Sequence, residues 1–211
     1  MTESDEDART AWERRYGESD RIWSGRVNAR LAEIAGELTP GRALDLGAGE
    51  GADAIWLASR GWQVVAVDVS ETALARGAAD AGQLAARIDF RPCDLNTDFP
   101  DGEFDLVSAQ FLHSHADLDR ERILRRAAAA IAPGGTLLIV DHGEAPPWAS
   151  ALQAHHHEFP SAQRVLDGLE LGQGWQVLRC GSAERDAVGP DGQPAHLVDN
   201  VIVVRRGQHG G

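Results

Sequence analysis

The segment Ala43-Leu44-Asp45-Leu46-Gly47-Ala48-Gly49-Glu50-Gly51 decides the fold, because it joins a short apolar run to a glycine-rich turn. A stretch of helical length, from Asp53 to Ser59, follows it directly. A strand, a glycine-rich turn and a helix in this order are typical of the first βα unit of a parallel sheet that binds a ligand at its edge. Glycines in such a turn let the backbone approach the ligand closely.

The remaining sequence alternates short aliphatic runs with alanine-rich stretches of helical length, which indicates an α/β protein with a mostly parallel sheet. The predicted strands are Ala43–Leu46, Gln63–Val67, Ile88–Pro92, Phe104–Ser108, Thr136–Val140, Trp175–Arg179 and Leu197–Val204. The predicted helices are Asp53–Ser59, Glu71–Ala85 and Asp119–Ile131. Asp117 or Asp119 should cap the third helix, and Pro133-Gly134-Gly135 should end it. The last two strands should be antiparallel, since Gly189-Pro190-Asp191-Gly192 is too short for a helical crossover.

The length and charge of the chain narrow the range of partners. A chain of 211 residues predicts a single domain spanning 1–211, with residues 1 to about 10 and 207–211 as frayed tails. The net charge of -13 should repel nucleic acid and anionic membranes, which favours a small-molecule partner. The acidic start and the lack of a long apolar run predict a cytoplasmic protein. The sequence does not indicate an oligomeric state.

No metal site is predicted. Cys93 and Cys180 lie too far apart for a disulfide framework or a cysteine metal site, and they are expected to be reduced thiols. The triplet His155-His156-His157 cannot converge on one ion if it is helical, because consecutive helical residues point about 100 degrees apart. One of the three histidines could still face a substrate from a lid that follows the fifth strand.

The glycine turn alone is compatible with two cofactors. Gly47, Gly49 and Ala52 satisfy the G-x-G-x-x-A pattern of dinucleotide binders. The carboxylates of Asp45 and Glu50 would oppose a pyrophosphate, whereas they can pair with the ammonium of a sulfonium amino acid. Asp68, which can accept the hydroxyl groups of a ribose, suits either cofactor.

Further motifs carry a resemblance to a known family. They are Asp45-Leu46-Gly47-Ala48-Gly49-Glu50-Gly51, Asp68, Asp94-Leu95, Phe104-Asp105-Leu106-Val107 and Pro133-Gly134-Gly135. In this order they resemble class I S-adenosylmethionine-dependent methyltransferases, over about residues 12–206. The resemblance implies a Rossmann-like seven-stranded sheet in the order 3-2-1-4-5-7-6, with the last strand antiparallel and helices on both faces. It also implies that S-adenosylmethionine is the cofactor.

The resemblance assigns cofactor contacts to individual positions. It places Asp45 and Gly47 near the amino-acid part, Asp68 on the ribose, and Asp94 with Leu95 around the adenine. Gln110 should lie near the methionine portion. The remaining expected contacts along these loops are Ala48, Gly49, Gly51 and Val69.

The amino-terminal aromatic residues resemble a subgroup of that family. Trp12-Glu13-Arg14-Arg15-Tyr16 and Ile22-Trp23-Ser24-Gly25 are similar to small-molecule methyltransferases related to the thiopurine and tellurite-resistance enzymes. In those enzymes aromatic residues before the first strand fold over the cofactor. Tyr16 and Trp23 are therefore predicted to contact the cofactor, with plain core packing as the alternative for both. For Trp12 the two interpretations are equal.

Two histidines follow strands where parallel α/β sheets bind substrates, namely His113 after the fourth strand and His142 after the fifth. Histidine is the natural base near neutral pH if the methyl acceptor must lose a proton, so both are predicted to be catalytic. The alternative for each is a loop histidine that is hydrogen-bonded to backbone.

The sequence as a whole predicts an S-adenosylmethionine-dependent methyltransferase that acts on a small molecule by direct displacement at the methyl carbon. One alternative is a nicotinamide-dependent oxidoreductase built on the same glycine turn. Another is a cofactor-binding protein without catalysis. The identity of the acceptor, and whether its O, N, S or C atom is methylated, stay open, because the substrate walls come from loops whose shape the sequence does not fix.

Overall fold

The computed structural model describes residues 7–114, 117–145, 147, 159–189 and 192–208. The strands are β1 Arg42–Leu46, β2 Gln63–Asp68, β3 Ile88–Pro92, β4 Phe104–Gln110, β5 Ile131–His142, β6 Trp175–Val188 and β7 Pro194–Arg206. The helices are α1 Ala8–Gly17, α2 Ala29–Ala35, α3 Ala52–Ser59, α4 Glu71–Ala81, α5 Arg120–Ala129 and α6 Ala162–Gly168, with a 3-10 helix at Gly82–Arg87.

The seven strands form one sheet in the order β3-β2-β1-β4-β5-β7-β6, which confirms the predicted order. Strands β3, β2, β1, β4 and β5 pair in parallel, whereas β7 is antiparallel to both β5 and β6. Strands β6 and β7 are therefore antiparallel to each other, as the sequence predicted. Because β1, β2, β4 and β5 run in the same direction, their ends meet along one side of the sheet, which we call the carboxyl edge.

Helices cover both faces of the sheet, as predicted. On one face α5 and α6 bury residues such as Ile123 and Val165 against alternate strand residues such as Leu44. On the other face α2, α3 and the end of α4 pack with Trp62 against residues such as Ala43. Residues alternate between the two faces along each strand, so both helical layers have an apolar core to pack on.

Two predicted helix boundaries and one predicted tail were wrong. Helix α1 begins at Ala8, inside the expected tail, because the side chain of Asp7 accepts a hydrogen bond from Thr10 N and caps the helix. The second predicted helix ends at Ala81 rather than Ala85, since Gly82 takes a positive φ of 52° and the chain continues as a 3-10 helix. The third ends at Ala129, and Ile131 already pairs with Phe104 in the sheet.

Other boundary predictions need smaller changes. Asp119, one of the two candidate caps, accepts a hydrogen bond from Arg122 N at the start of α5. Strands β6 and β7 are longer than predicted because they pair with each other over nearly their whole length. Gly207 donates a backbone hydrogen bond to Gly174, so the carboxyl-terminal segment is held at least to that point. No helix in the described ranges is long and apolar enough to cross a membrane.

Candidate functional site

The carboxyl edge brings together most of the residues that the sequence singled out. Leu46, the last residue of β1, lies level with Val67 of β2 and Ala109 of β4. The glycine turn, Asp68 and Gln110 therefore leave the sheet side by side. The expected cofactor residues share this edge because three parallel strands end there, although they are far apart in sequence.

The glycine turn adopts a backbone that favours glycine at the positions facing the amino-terminal segment. Gly49 has a φ of 53°, and a Cβ added there would lie 3.0 Å from Tyr16 Oη and 3.2 Å from Trp23 Nε1. Gly51 has a φ of 79° and starts helix α3. The turn is fixed to β2 by hydrogen bonds from Ala48 N to Val67 O and from Gly49 N to Asp68 Oδ2.

Asp45 is a buried carboxylate with unmet hydrogen-bonding capacity. It is 2% exposed, and among the described residues its Oδ2 has no hydrogen-bond partner. Burial, followed by the charges of Asp53 and Asp68, raises the pKa of Asp45 well above its usual value. A buried acid in this state favours a ligand that brings positive charge and N–H donors.

Asp53, which the sequence reasoning missed, adds to the negative charge near Asp45. Its two oxygens accept hydrogen bonds of 2.7 Å each from the backbone N and the side-chain Nδ2 of Asn28. Burial still raises the pKa of Asp53, because it outweighs these two hydrogen bonds. An acid in the first turn of α3 was the available signal, although a residue of that kind is more often a helix-terminal charge.

Asp68 lies at the end of β2 and orders the backbone around it. Oδ2 accepts from Gly49 N at 2.8 Å and Oδ1 accepts from Ser70 N at 2.9 Å. Burial raises the pKa of Asp68 even though these donors and Val69 N oppose the shift. The carboxylate is partly exposed and keeps acceptor capacity for further donors such as hydroxyl groups.

The amino-terminal segment, residues 7–28, crosses over the carboxyl edge. Trp23 Nε1 donates to Tyr16 Oη at 2.9 Å, and Trp12 Nε1 donates to Ser114 Oγ at 3.1 Å. Tyr16 is 2% exposed, and burial, followed by the charge of Asp68, raises its pKa. Trp23 is 46% exposed, so one face of its ring is open to solvent or to a ligand.

Glu50 has a different role from the one that the sequence predicted. It is 3% exposed and accepts hydrogen bonds from the backbone N of Ile22 and Trp23. Arg76 NH1 also lies 3.0 Å from Glu50 Oε1, and Arg76 NH2 donates to Tyr16 O. Glu50 and Arg76 thus hold the amino-terminal segment onto the glycine turn.

The loops after β3 and β4 supply the remaining residues that were expected to contact the cofactor. Asp94 Oδ1 accepts from Asn96 N at 2.9 Å, and Leu95 is buried. Gln110 Nε2 donates to Ser108 Oγ at 3.0 Å. Among the described residues, the buried Gln110 Oε1 has no hydrogen-bond partner, so it is a second buried acceptor at this edge.

The two predicted histidines lie together at the ends of β4 and β5. Their ring centroids are 6.3 Å apart with an interplanar angle of 18°. His142 stacks on Phe111 at 4.4 Å and meets the edge of Phe159 at 6.0 Å. Burial, followed by the nearby His113, lowers the pKa of His142. Phe111 has a φ of 51°, a strained backbone for a non-glycine residue that aims its ring at His142.

Asp141 lies next to His113 and is bound by Arg120. Sequence reasoning did not single out Asp141 or Arg120. Asp141 is 0% exposed, and Arg120 NH2 lies 2.6 Å from each of its oxygens. His113 Nε2 lies 3.4 Å from Asp141 Oδ1. Burial alone would raise the pKa of Asp141, but His113 and Arg120 outweigh it and lower that pKa.

Asp199 forms a second buried ion cluster beside His142. It is 0% exposed, lies level with His142 across β5 and β7, and is 2.7 Å from Arg185 Nε and 3.4 Å from Arg30 Nε. Arg185 also lies over the ring of Phe111, at 5.9 Å from its centroid. A charged residue inside the apolar run of β7 was the available sequence signal for this cluster.

Metal binding has no candidate in the described part of the chain, where no group of three or more His, Cys, Asp or Glu side chains is arranged to hold an ion. The triplet His155-His156-His157 lies outside the described residues. The expected lid that contains it lies largely outside them too.

The chain is similar in sequence to known methyltransferases. The model of the methyltransferase domain family matches residues 43–135. A demethylmenaquinone methyltransferase of Thermus thermophilus is 36% identical over 153 residues, covering 70% of this chain and 67% of that protein. A ribosomal RNA small subunit methyltransferase C of Alcanivorax borkumensis is 31% identical over 112 residues, but this chain spans only 34% of its length.

Solved structures show the same relationship. A protein studied for the conversion of a disulfide bond into a thioacetal group during echinomycin biosynthesis is 26% identical, with a TM-score of 0.70 and coverage of 95% of this chain and 93% of that one. The N-methyltransferase NodS from Bradyrhizobium japonicum, in complex with S-adenosyl-L-homocysteine, is 15% identical with a TM-score of 0.69 and coverage of 95% and 99%. TehB from Haemophilus influenzae is 17% identical with a TM-score of 0.66 and coverage of 92% and 66%. At these low identities, NodS and TehB show that the fold is shared.

Proposed function

The chain belongs to the class I S-adenosylmethionine-dependent methyltransferases, and from this premise we propose that its carboxyl edge methylates a small molecule. The observation that carries the site assignment is the buried oxygen of Asp45 that has no partner in the described structure, placed beside the glycine turn. The family relationship decides between the two cofactors that the glycine turn permits, and it favours S-adenosylmethionine over a nicotinamide cofactor.

The residues at the edge fit this cofactor. When bound, S-adenosylmethionine supplies a methyl group on a positively charged sulfur. Asp45 Oδ2 and Gln110 Oε1 are buried acceptors that suit its ammonium group and its methionine portion. Asp68 has acceptor capacity for the ribose hydroxyls, and Leu95 offers an apolar contact for the adenine.

The remaining assigned contacts lie around the same space. The turn residues Gly47, Ala48, Gly49 and Gly51 supply backbone, and Val69 and Asp94 border the ribose and adenine sides. Tyr16 and Trp23 cover Gly49, which supports a role for both in closing the cofactor site. Trp12 contacts Ser114 in the loop after β4, so we assign it to the junction between the cofactor and acceptor sides.

A small-molecule acceptor is supported by the charge of the chain. A net charge of -13 gives an overall field that opposes a phosphate backbone. The relative that this chain matches over the larger share of both lengths is named for demethylmenaquinone, a small molecule, whereas the relative named for ribosomal RNA matches over a smaller share. A cytoplasmic location stays a prediction.

The reaction we assign is a direct displacement at the methyl carbon. Holding the acceptor in line with the sulfur–methyl bond can supply about 7 to 11 kcal/mol of the barrier, so most of the catalysis is positioning. His113 and His142 lie at the end of the sheet next to Gln110 and are the candidates for removing a proton from the acceptor.

Calorimetry with S-adenosylhomocysteine tests the proposal directly. We expect binding at sub-millimolar concentration to the full chain, with no binding of reduced nicotinamide cofactor detected by its fluorescence. Absence of S-adenosylhomocysteine binding would refute the cofactor assignment. Binding without turnover over a broad acceptor panel would instead favour a cofactor-binding protein without catalysis.

A further inference from the structure

We propose that His113 is the catalytic base, that Asp141 positions it, and that the acceptor is a planar ring bearing a hydroxyl or thiol group. This inference rests on the proposed function, because it concerns the acceptor side of the same site. It goes further in separating the roles of the two histidines and in naming a chemical class of acceptor.

The environment of His113 is that of a positioned base. Nε2 lies 3.4 Å from Oδ1 of Asp141, a carboxylate with no exposed surface. Arg120 fixes that carboxylate with contacts of 2.6 Å to both oxygens, and Arg120 Nε also donates to Leu112 O at 3.1 Å. The buried Nε2 faces this carboxylate at ion-pair distance without a hydrogen bond among the described residues, which leaves Nδ1 as the nitrogen that can take a proton.

His113 is also the more accessible of the two rings. Its side chain is 35% exposed, and it belongs to the loop that directly follows β4 and Gln110. Its backbone N donates to Phe111 O at 2.8 Å, which fixes a tight turn behind the ring. The backbone of His113 is therefore constrained, and its side chain is accessible at the carboxyl edge.

The surroundings of His142 suit a residue that lines the acceptor site rather than a base. Its ring is stacked on Phe111 and capped by the edge of Phe159. Burial, the nearby His113 and the Arg185 guanidinium lower its pKa, so the neutral form predominates near pH 7. Phe111, His142 and Phe159 together present flat faces that suit a planar ring, by stacking or edge contact.

The charges on this side argue against an amine acceptor. Asp141 is bound by Arg120, and the charge of Asp199 is compensated by Arg185 and Arg30, although Asp199 Oδ1 has no hydrogen-bond partner among the described residues. The position over the Phe111 ring that would attract a cation already holds Arg185. The two buried carboxylates that pack against the histidines are thus already compensated by arginines, so neither is left to attract a protonated amine, whereas a neutral phenol or thiol meets a base.

The proposed step balances in atoms and charge. Nδ1 of His113 takes the proton of the acceptor O–H or S–H group, and the acceptor atom forms a bond to the methyl carbon. The bond between sulfur and that carbon breaks, and its electron pair stays on sulfur, giving S-adenosylhomocysteine. The imidazolium then releases its proton to solvent.

Nuclear magnetic resonance of the full chain with labelled histidines tests the positioning role. His113 is faced by Asp141 and His142 on β5 and by Arg120 on α5, while Asp199 and Arg185 face His142. The His113 signal is identified by its loss in His113→Gln. In the unmodified protein the neutral ring should carry its proton on Nε2, the nitrogen that faces Asp141, and Asp141→Asn should shift the ring towards the other tautomer. The double variant Asp141→Asn with Arg120→Gln should show the same change of tautomer, and it protects the test against an unfolded single variant because it leaves no unpaired charge.

Turnover tests the base and the acceptor class, with catechol, thiophenol and sarcosine as methyl acceptors and S-adenosylhomocysteine formation as the readout. Catechol or thiophenol should be methylated, and His113→Gln should lower kcat by about 100-fold or more. Asp141→Asn should lower kcat with little change in KM, whereas His142→Phe should change KM more than kcat.

The opposite results would overturn the inference. It fails if the tautomer of His113 is unchanged in Asp141→Asn, if sarcosine is the preferred acceptor, or if none of the three is methylated by a protein that binds S-adenosylhomocysteine. Loss of S-adenosylhomocysteine binding in the unmodified protein is a separate result, since it refutes the proposed function itself.

Discussion

The two halves of the carboxyl edge both bury carboxylates, but they treat the charge differently. At the ends of β1 and β2, Asp45 and Asp68 have raised pKa values because burial outweighs the donors available to them. At the end of β5, Asp141 has no exposed surface and yet has a lowered pKa, because His113 and Arg120 outweigh its burial. The half at β1 and β2, the cofactor half, has buried carboxylates without a counter-ion. The half at β4 and β5, the acceptor half, has a carboxylate that is already paired with an arginine.

This difference indicates which half waits for a charged ligand. A buried carboxylate without a counter-ion is costly, and a ligand with an ammonium and a sulfonium removes that cost when it binds. A carboxylate already held by an arginine contributes framework and orients its neighbours. The cofactor half thus recognises charge, whereas the acceptor half offers histidine and aromatic rings.

Breaking the ion pair between Asp141 and Arg120 should have the largest effect on stability. Asp141→Asn leaves Arg120 partly buried without its partner, and we expect the free energy of unfolding to fall by about 3 to 5 kcal/mol near neutral pH. The folded state lowers the pKa of Asp141, so this stabilisation is present above the unfolded pKa and is lost as the pH falls through the folded one. Urea unfolding of both proteins at pH 7 and below about pH 4 measures the difference, which should shrink in acid.

The double variant Asp141→Asn with Arg120→Gln is the matched control for that experiment. Removing both charges should recover most of the lost stability, because no unpaired buried charge remains. An equal loss in the double variant would show that packing, rather than charge pairing, holds this end of β5.

Asp45→Asn should have the opposite effect on stability and a large effect on binding. Because the folded state raises the pKa of Asp45, its ionised form destabilises the fold as the pH rises above the unfolded value, and asparagine removes that destabilisation. We expect a higher Tm of the ligand-free protein at pH 7. Affinity for S-adenosylhomocysteine should fall by about 10- to 100-fold, the effect of losing a hydrogen bond to a charged group.

Calorimetry and thermal melting with and without ligand measure both quantities. A lower Tm of ligand-free Asp45→Asn would show that the carboxylate is satisfied in the folded protein. That result would remove the contrast between the two halves of the edge.

Tyr16→Phe should have the smallest effect. It removes the hydroxyl that accepts from Trp23 Nε1, and a net hydrogen bond contributes about 1 kcal/mol, so affinity for S-adenosylhomocysteine should fall by about fivefold. Trp12→Phe is the matched control, since it removes the hydrogen bond to Ser114 at the other half. Equal losses of cofactor affinity in both variants would show that the amino-terminal segment acts as one unit over the whole edge.

Individual residues show how far the sequence could lead. Asp68 and Gln110 were located correctly at the carboxyl edge, because the ends of parallel strands can be read from apolar runs. The neighbours of Glu50 in sequence suggested a ligand contact, whereas the partners that the structure gives it, Arg76 and Trp23, come from elsewhere in the chain. Asp141 was passed over because its importance depends on Arg120, which lies 21 residues earlier.

The sequence by itself determined the α/β class, the order of elements and the glycine turn, because strand and helix periodicity and turn chemistry are local properties. Its motifs also carried the resemblance that implied the strand order and the cofactor. Only the tertiary structure decided which carboxylates have a counter-ion, since Arg120 reaches Asp141 and Arg185 reaches Asp199 through the packing of separate elements. Electrostatic pairing depends on distances of a few ångströms between residues far apart in sequence, and local patterns carry no such information.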